Sequence, residues 1–313
     1  MRYVFIINPV AGKGNAEQTV VPMVEQYFAD NTADYKIYIT SQAGQAKTYA
    51  DSEAAVGDDV TVFACGGEGT CFEVLNGIVA HPNAVFGIIP CGSANDFLKL
   101  FDSAEPFLDL ESQLGGEYTA IDLIKCDDEY CFNVCSVGID AIIAKDMSIF
   151  KNWKFVSGSL AYKLAIVKNF LFSRLGEHLK ITLDGAKTTE GDFLFAVCAN
   201  GCSYGGGYMP APKASPEDEK LDFALVKKIN RFRVLPFIKD YEKGDFNGYD
   251  YVTTGNCTVM NIESKKAIPV NRDGEIIMKK NVRFELARRA VRLLVPNGAV
   301  KKYEEFFNFA KNT

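Results

Sequence analysis

Histidine is nearly absent from this chain of 313 residues: only His81, beside Pro82, and His178 occur. Both stand in polar surroundings and read as surface residues, so any general base must be a carboxylate. An excess of positive charge is also missing. The formal charge of −6 argues against non-specific nucleic-acid binding, though a local basic patch at a membrane surface stays open. No apolar run approaches the roughly 18 uninterrupted residues of a spanning helix. The best candidate, LAYKLAIVKNFLF at 160–172, is interrupted by Lys163 and Lys168, so the chain is expected not to cross a membrane. The opening MRYVFIINPVAGKG has too short an apolar run for a signal peptide and reads as a first buried strand. Repeats and low-complexity runs are absent. The nine cysteines match no zinc spacing and, being odd in number, no simple disulfide framework, which leaves buried free thiols in a reducing compartment.

What is present is ordinary for a globular protein with a real core: 48% hydrophobic and 24% charged residues, with a length that suggests about two domains. Residues 1–100 alternate β-branched runs (RYVFIIN, YKIYIT, DVTVFACGG, AVFGIIPCG) with helical patterns near 15–30, 44–56 and 70–80. That alternation predicts βαβ units and a parallel sheet. From about Tyr118 short strand-like runs separated by turns predict an antiparallel sandwich, interrupted by a helical stretch at 156–173. We therefore expect an α/β nucleotide-binding domain over 1–120, with the tail 297–313 returning to it, and a β-sandwich domain over 121–296.

Every glycine-rich stretch of the first domain follows a strand, and the carboxyl ends of parallel strands are where open α/β sheets bind ligands. The stretch CGGEGTCFEVLNG at 65–77 sets three glycines around Glu68 before a helix. Glycines there bring bare N–H groups up to an anion, and an acid beside them makes sense if a divalent cation lies between acid and phosphate. A tight turn with a solvent-facing Glu68 is the alternative. NPVAGKG at 8–14 follows the first strand with small residues and Lys13, but lacks the pattern of a P-loop. PCGSANDF at 90–97 repeats the design with Gly92, Ser93, Asn95 and Asp96, where Asn95 or Asp96 could instead cap a helix. The dense turn sequence 199–222 places Ser215, Asp218 and the Lys220 carbonyl at a spacing that lets a loop wrap a hard cation, a plain surface loop being the alternative. NRDGEI at 271–276 reads as an Asp-Gly hairpin.

Together these motifs resemble the soluble diacylglycerol kinase catalytic family, which is related to sphingosine kinases and NAD kinases. NPVAGKG is similar to its first phosphate-loop motif, GGEGT to GGDGT, GSANDF to GTxNDF, GGGYMPAP with DEKLD to its GGG-M-P and DGxLD loop, and DGE at 273–275 to its late catalytic motif. The matches run from residue 8 to about 296. The resemblance implies a cytoplasmic, ATP- and magnesium-dependent lipid kinase, peripheral at the inner membrane face, and a homodimer as its assembly. Nucleotide would lie against Asn8, Pro9, Val10, Ala11 and Gly12, with Lys13 near the phosphates. Thr40, Gly66, Gly67, Glu68, Gly69, Thr70, Cys71, Phe72, Ser93 and Asn95 would complete that site. Asp96 and Asp122 would join Glu68 in an acid–water–magnesium network, Asp273 and Glu275 would supply the remaining catalytic carboxylates, with Glu275 the proton acceptor, and Ser215, Asp218 and Lys220 would hold a structural magnesium. Diacylglycerol is the implied substrate. Another lipid alcohol (a sphingoid base, an isoprenoid alcohol, phosphatidylglycerol), or a catalytically weak nucleotide- or lipid-binding protein, is the alternative.

Three departures from the family pattern bear on activity. Glu68 replaces an Asp, Lys99 stands near a frequent arginine, and Glu219 replaces the glycine of DGxLD, which strains the loop if that position needs a positive φ. The apolar and basic stretch 150–174 could greet anionic headgroups or pack as an ordinary amphipathic helix.

Overall fold

The computed structural model describes residues 1–92, 95–139, 141–143, 175–246 and 248–304, apart from the Lys13 side chain. Ser93, the helical stretch expected at 156–173 with its flanks, and the tail beyond 304 lie outside the described residues. The chain forms two compact units, Met1–Leu123 with the stretch from Arg288 onward, and Ile124–Ala287.

In the first unit β1 (Arg2–Ile7), β2 (Tyr35–Ile39), β3 (Val60–Gly66) and β4 (Ala84–Pro90) pair in parallel in the order β2-β1-β3-β4. β3 and β4 are buried along their whole length, as expected of strands covered on both faces. Helix α1 (Ala16–Ala29) sends Val20, Val24 and Phe28 against Phe5, Ile7 and Phe63. Helix α2 (Gln45–Ala54) packs on α3 (Glu68–Ile78) so tightly that a Cβ on Gly77 would stand 2.5 Å from the Lys47 carbonyl oxygen. Right-handed crossovers in a sheet of this order put α1 on one face and α2 with α3 on the other. The strand order reverses between β1 and β3, which makes the carboxyl ends of those two strands the switch point where such sheets open a crevice.

Two carboxylates, one buried and one half-buried, lock this unit. Glu53 of α2, 5% exposed, accepts from Arg2, from Lys36 at 2.9 Å and from the Tyr38 hydroxyl. Glu73 of α3 accepts from the Gly44 and Ala46 amides at 2.8 and 3.1 Å, capping the start of α2 from a neighbouring helix. The segment after 296 returns to this unit: Asp102 N donates to the Val300 carbonyl and Lys302 N to that of Leu100.

The second unit is antiparallel and strand-rich. Strands β7 (Val134–Gly138), β9 (Lys187–Ala199), β10 (Leu221–Lys227), β11 (Val252–Cys257), β12 (Val259–Arg272) and the first part of β13 (Glu275–Val295) pair in the order β11-β10-β9-β7-β12-β13. β9 and β12 each bend between two partners, pairing β8 (Glu177–Leu183) with one half and β7 with the other. The sequence run YVTTGNCTVMNIES is two strands, divided at Thr258. A helix not expected from the sequence, α5 (Arg231–Lys243), follows β10. Its Val234, Phe237 and Tyr241 pack on Phe195, Val197 and Val226 of the sheet.

Candidate active-site residues

In the first unit the expected nucleotide residues gather at the switch point. Asn8 follows β1: its amide donates to the Cys65 carbonyl at 3.0 Å and its side-chain nitrogen to Thr70 Oγ1 at 3.2 Å, tying the first loop to the start of α3. Its own Oδ1 accepts from Val10 N at 3.2 Å. Gly12 takes φ +61°, and a Cβ there would lie 3.2 Å from the Cys91 carbonyl oxygen, so the β1 loop runs beside the end of β4. Thr40, after β2, donates to the Ile7 carbonyl through both its amide and its hydroxyl. The Gly66 carbonyl accepts from Cys91 N and Gly92 N at 2.9 and 3.2 Å. A Cβ on Gly92 would stand 2.9 Å from the Gly67 Cα. The two glycine turns therefore pack backbone on backbone, an approach open only to glycine. Behind them α3 starts with Glu68, and its first amides have no partner within the helix. The thiols here are poor nucleophiles, since burial pushes Cys65 and Cys91 upward.

Two of the acids of this unit, Glu68 and Asp96, are linked through a backbone amide. Glu68 is half-buried rather than solvent-facing, and its Oε1 accepts the Asp96 amide at 3.4 Å. Asp96, with no exposed surface, receives Lys99 Nζ at 2.5 Å. Asn95 sits in the left-handed region, φ 49°, and makes no side-chain cap to the short helix that follows. Its side chain turns back to donate to the Gly92 carbonyl at 3.1 Å, holding the turn closed. Asp122, fully buried on β5 (Glu117–Cys126), accepts the amide of Arg289 at 2.7 Å, where β13 breaks stride with a positive φ.

In the second unit the DGE hairpin is tight. Asp273 (φ 49°) and Gly274 (φ 98°) form its two-residue loop, Arg272 pairs with Glu275, and two positive φ values in succession define the type I′ turn that Asp-Gly favours. This is more than a solvent-facing turn. The Asp273 carboxylate is buried and accepts Phe132 N at 2.7 Å, Val134 N at 2.8 Å and Asn133 N at 3.2 Å. Burial pushes its pKa up to about 7 against the pull of those amides. Arg272 is braced by Glu129 at 2.6 Å. Glu275, two residues on, is exposed.

The loop 199–222, also of this unit, winds on itself. Gly205, Gly206 and Gly207 all have positive φ. Ser215 Oγ, itself 1% exposed, accepts Glu217 N at 3.2 Å, and Asp218 Oδ1 accepts Lys220 N at 3.1 Å. Glu219 does adopt φ +59°, the conformation that favours glycine. Burial and the neighbouring Asp218 charge lift Asp222 to about 7, although Asn256 donates to it. The Asp218 carboxylate, the Ser215 hydroxyl and the Lys220 carbonyl are hard oxygens of the kind that suit Mg²⁺. Among the described residues no three His, Cys, Asp or Glu side chains are grouped to hold a metal, so a cation here would rest on hydroxyl, carbonyl and water oxygens beside one carboxylate.

Sequence reasoning missed the segment Phe132–Val134, whose amides seat Asp273, and Asn133 within it. The Asn133 side chain donates to the Ser203 carbonyl at 2.9 Å, and its buried Oδ1 has no hydrogen-bond partner. The one available signal was a polar residue inside the apolar run YCFNVCSVG.

Residues 2–126 match the family model described as the diacylglycerol kinase catalytic domain, and residues 133–295 match the YegS C-terminal NAD kinase beta sandwich-like domain. The chain belongs to this family of lipid kinases, with a diacylglycerol kinase catalytic domain followed by its sandwich-like partner domain. Proteins named "Putative lipid kinase" from Staphylococcus aureus strains Mu3 and Newman are 28% identical over 245 residues, covering 75% of this chain and 77% of theirs. Among solved structures, one titled a "putative diacylglycerol kinase" from Bacillus anthracis superposes with a TM-score of 0.73 at 22% identity, covering 95% of this chain and 97% of that one. A second from the same organism gives 0.69 at 23% identity, covering 94% and 96%. These two share the fold.

Proposed function

We propose that the chain is an ATP- and magnesium-dependent kinase that phosphorylates the primary hydroxyl of a lipid, with diacylglycerol as substrate and phosphatidic acid as product. The observation that carries this reading is the pair of interlocked glycine turns at the switch point, Gly66–Gly67 against Cys91–Gly92, with Glu68 and Asp96 beside them. Close-packed glycines leave room for a triphosphate against bare amides. The acids suit magnesium rather than phosphate, and the bound ion would supply neutralisation of the phosphate charge. Of these acids Glu68 keeps exposed surface while Asp96 and Asp122 have none, so Glu68 would meet the hydrated ion and the other two would hold the surrounding backbone. Ser215, Asp218 and the Lys220 carbonyl would hold a second magnesium in a structural role.

In the transfer itself the exposed Glu275 carboxylate takes the proton of the lipid hydroxyl. The hydroxyl oxygen bonds to the γ-phosphorus as the bond to the β–γ bridging oxygen breaks, and ADP leaves. Positioning and charge neutralisation account for most of the rate of such transfers. Asp273 acts by anchoring the hairpin. Its pKa of about 7 favours a second reading, in which Asp273 is the base. The two separate in variants: Glu275→Ala should abolish transfer and leave ATP binding intact, whereas wild-type turnover in Glu275→Ala together with loss in Asp273→Asn would move the base to Asp273.

A further inference from the structure

Helix α5 has two unlike faces. Val234, Phe237 and Tyr241 are buried in the second unit's core. On the opposite side Phe232, Leu235, Pro236, Lys239 and Lys243 fall within an arc of about 100° at 3.6 residues per turn. Phe232 is 83% exposed, the most exposed large apolar side chain among the described residues, and Leu235 is 50% exposed. An isolated exposed apolar side chain needs no explanation, but these two are one turn apart and ringed by cations. From 227 to 243 the chain carries Lys227, Lys228, Arg231, Arg233, Lys239 and Lys243 against Asp240 and Glu242. That is six positive charges against two negative, +4 within a chain of net −6. Asp240 is further engaged by the Tyr249 hydroxyl at 2.5 Å; Arg233 lies over the Tyr251 ring, 4.8 Å from its centroid, and pairs with Asp250 at 3.6 Å, and Lys228 pairs with Asp192 at 3.4 Å.

We infer that the outer face of α5 docks on an anionic lipid bilayer, with Phe232 and Leu235 entering the headgroup boundary and Lys239 and Lys243 on the same face meeting lipid phosphates. The pattern of Phe and Leu on one face with a cationic rim is that of interfacial helices, and the local charge is opposite in sign to the net charge of the chain, so this patch is attracted to an anionic surface. The surface deepens the lipid-kinase reading by giving the enzyme a way to sit where its substrate is, and it rests on that reading for its purpose.

The test is co-sedimentation of the full chain with vesicles of phosphatidylcholine alone or with phosphatidylglycerol added. Phosphoryl transfer to a short-chain, monomeric diacylglycerol is measured alongside. The wild-type chain should bind the anionic vesicles, weakly bind the neutral ones, and release as salt is raised. Phe232→Ser with Leu235→Ser should weaken binding about tenfold or more, as the loss of two interfacial anchors implies, with transfer to the monomeric substrate unchanged. Lys239→Glu should give a similar loss and serves if the double variant fails to fold. Wild-type vesicle binding in both variants would overturn the proposal. So would a wild-type dimer that the double variant turns into a monomer while vesicle binding persists, since the face would then join two copies of the chain. Absence of transfer to any lipid, with vesicle binding lost in the variants, would refute the kinase reading and leave the docking surface standing.

Discussion

Asp273→Asn tests how the hairpin is held. In the native chain one carboxylate oxygen accepts Phe132 N at 2.7 Å and the other accepts Val134 N at 2.8 Å and Asn133 N at 3.2 Å. Asparagine keeps one acceptor and turns an NH₂ group toward the other amides, leaving at least one buried donor unmet. Below about pH 7 the native carboxyl is protonated and its bonds are neutral ones of about 0.5–1.5 kcal/mol each, while the variant escapes the cost of burying a charge at any pH. That cost is legible in the raised pKa, from the usual 3.8 to about 7. An acid whose folded pKa is raised contributes stability that is present below its unfolded pKa and lost as pH climbs toward 7. Between pH 5 and pH 7 the unfolded chain has released this proton and the folded chain retains it. Two pH units at about 1.4 kcal/mol each then remove about 3 kcal/mol from the native protein and nothing from the variant. Urea unfolding at the two pH values should therefore show the stability difference between the native protein and Asp273→Asn moving by about 3 kcal/mol in favour of the variant from pH 5 to pH 7. A penalty that grows with pH would mean the three amides hold Asp273 ionised and the burial argument has the wrong sign.

Three other substitutions probe separate parts of the structure. Gly92→Ala places a Cβ 2.9 Å from the Gly67 Cα and should part the two turns, weakening ATP binding by calorimetry about tenfold, the equivalent of 1–2 kcal/mol of overpacking strain; native affinity would show that the turns do not need this approach. Glu219→Gly relieves a left-handed residue at φ +59°, a gain of about 1 kcal/mol partly offset by the freer unfolded chain. Its urea midpoint should rise, and a fall would show that the Glu219 side chain holds the loop through its own contacts. Glu53→Ala leaves Arg2 without its buried partner and should cost about 3 kcal/mol at neutral pH. Burial raises the Glu53 pKa, but the bonds from Tyr38, Lys36 and Arg2 more than offset it and leave it lowered, so the penalty should fade as acid protonates the native carboxylate; a penalty that is unchanged in acid would remove the ion pairs as its cause.

The parallel sheet was legible because its strands are continuous β-branched and aromatic runs: Val4–Ile7, Val60–Cys65 and Ala84–Ile89 can only be covered on both faces. The glycine turns were legible for the same reason, each coming straight after such a run. Helix α5 escaped notice because Pro236 interrupts its pattern and its exposed Phe232 and Leu235 blur the apolar stripe, although Asn230 caps its start and Gly244, φ 73°, closes its end. The seating of Asp273 was beyond the sequence, since its amide partners lie about 140 residues earlier and nothing in a local pattern specifies contacts at that separation. Glu219 shows the reverse case. A glycine motif carrying a glutamate pointed to a positive φ, and the backbone has one.

The account stands most directly on transfer of labelled phosphate from ATP, with magnesium, to diacylglycerol in mixed micelles and to a total lipid extract in parallel. The prediction is labelled phosphatidic acid in both. Label in a different lipid would keep the chemistry and change the substrate, and no label in any lipid, with ATP still bound, would contradict the assignment of a kinase.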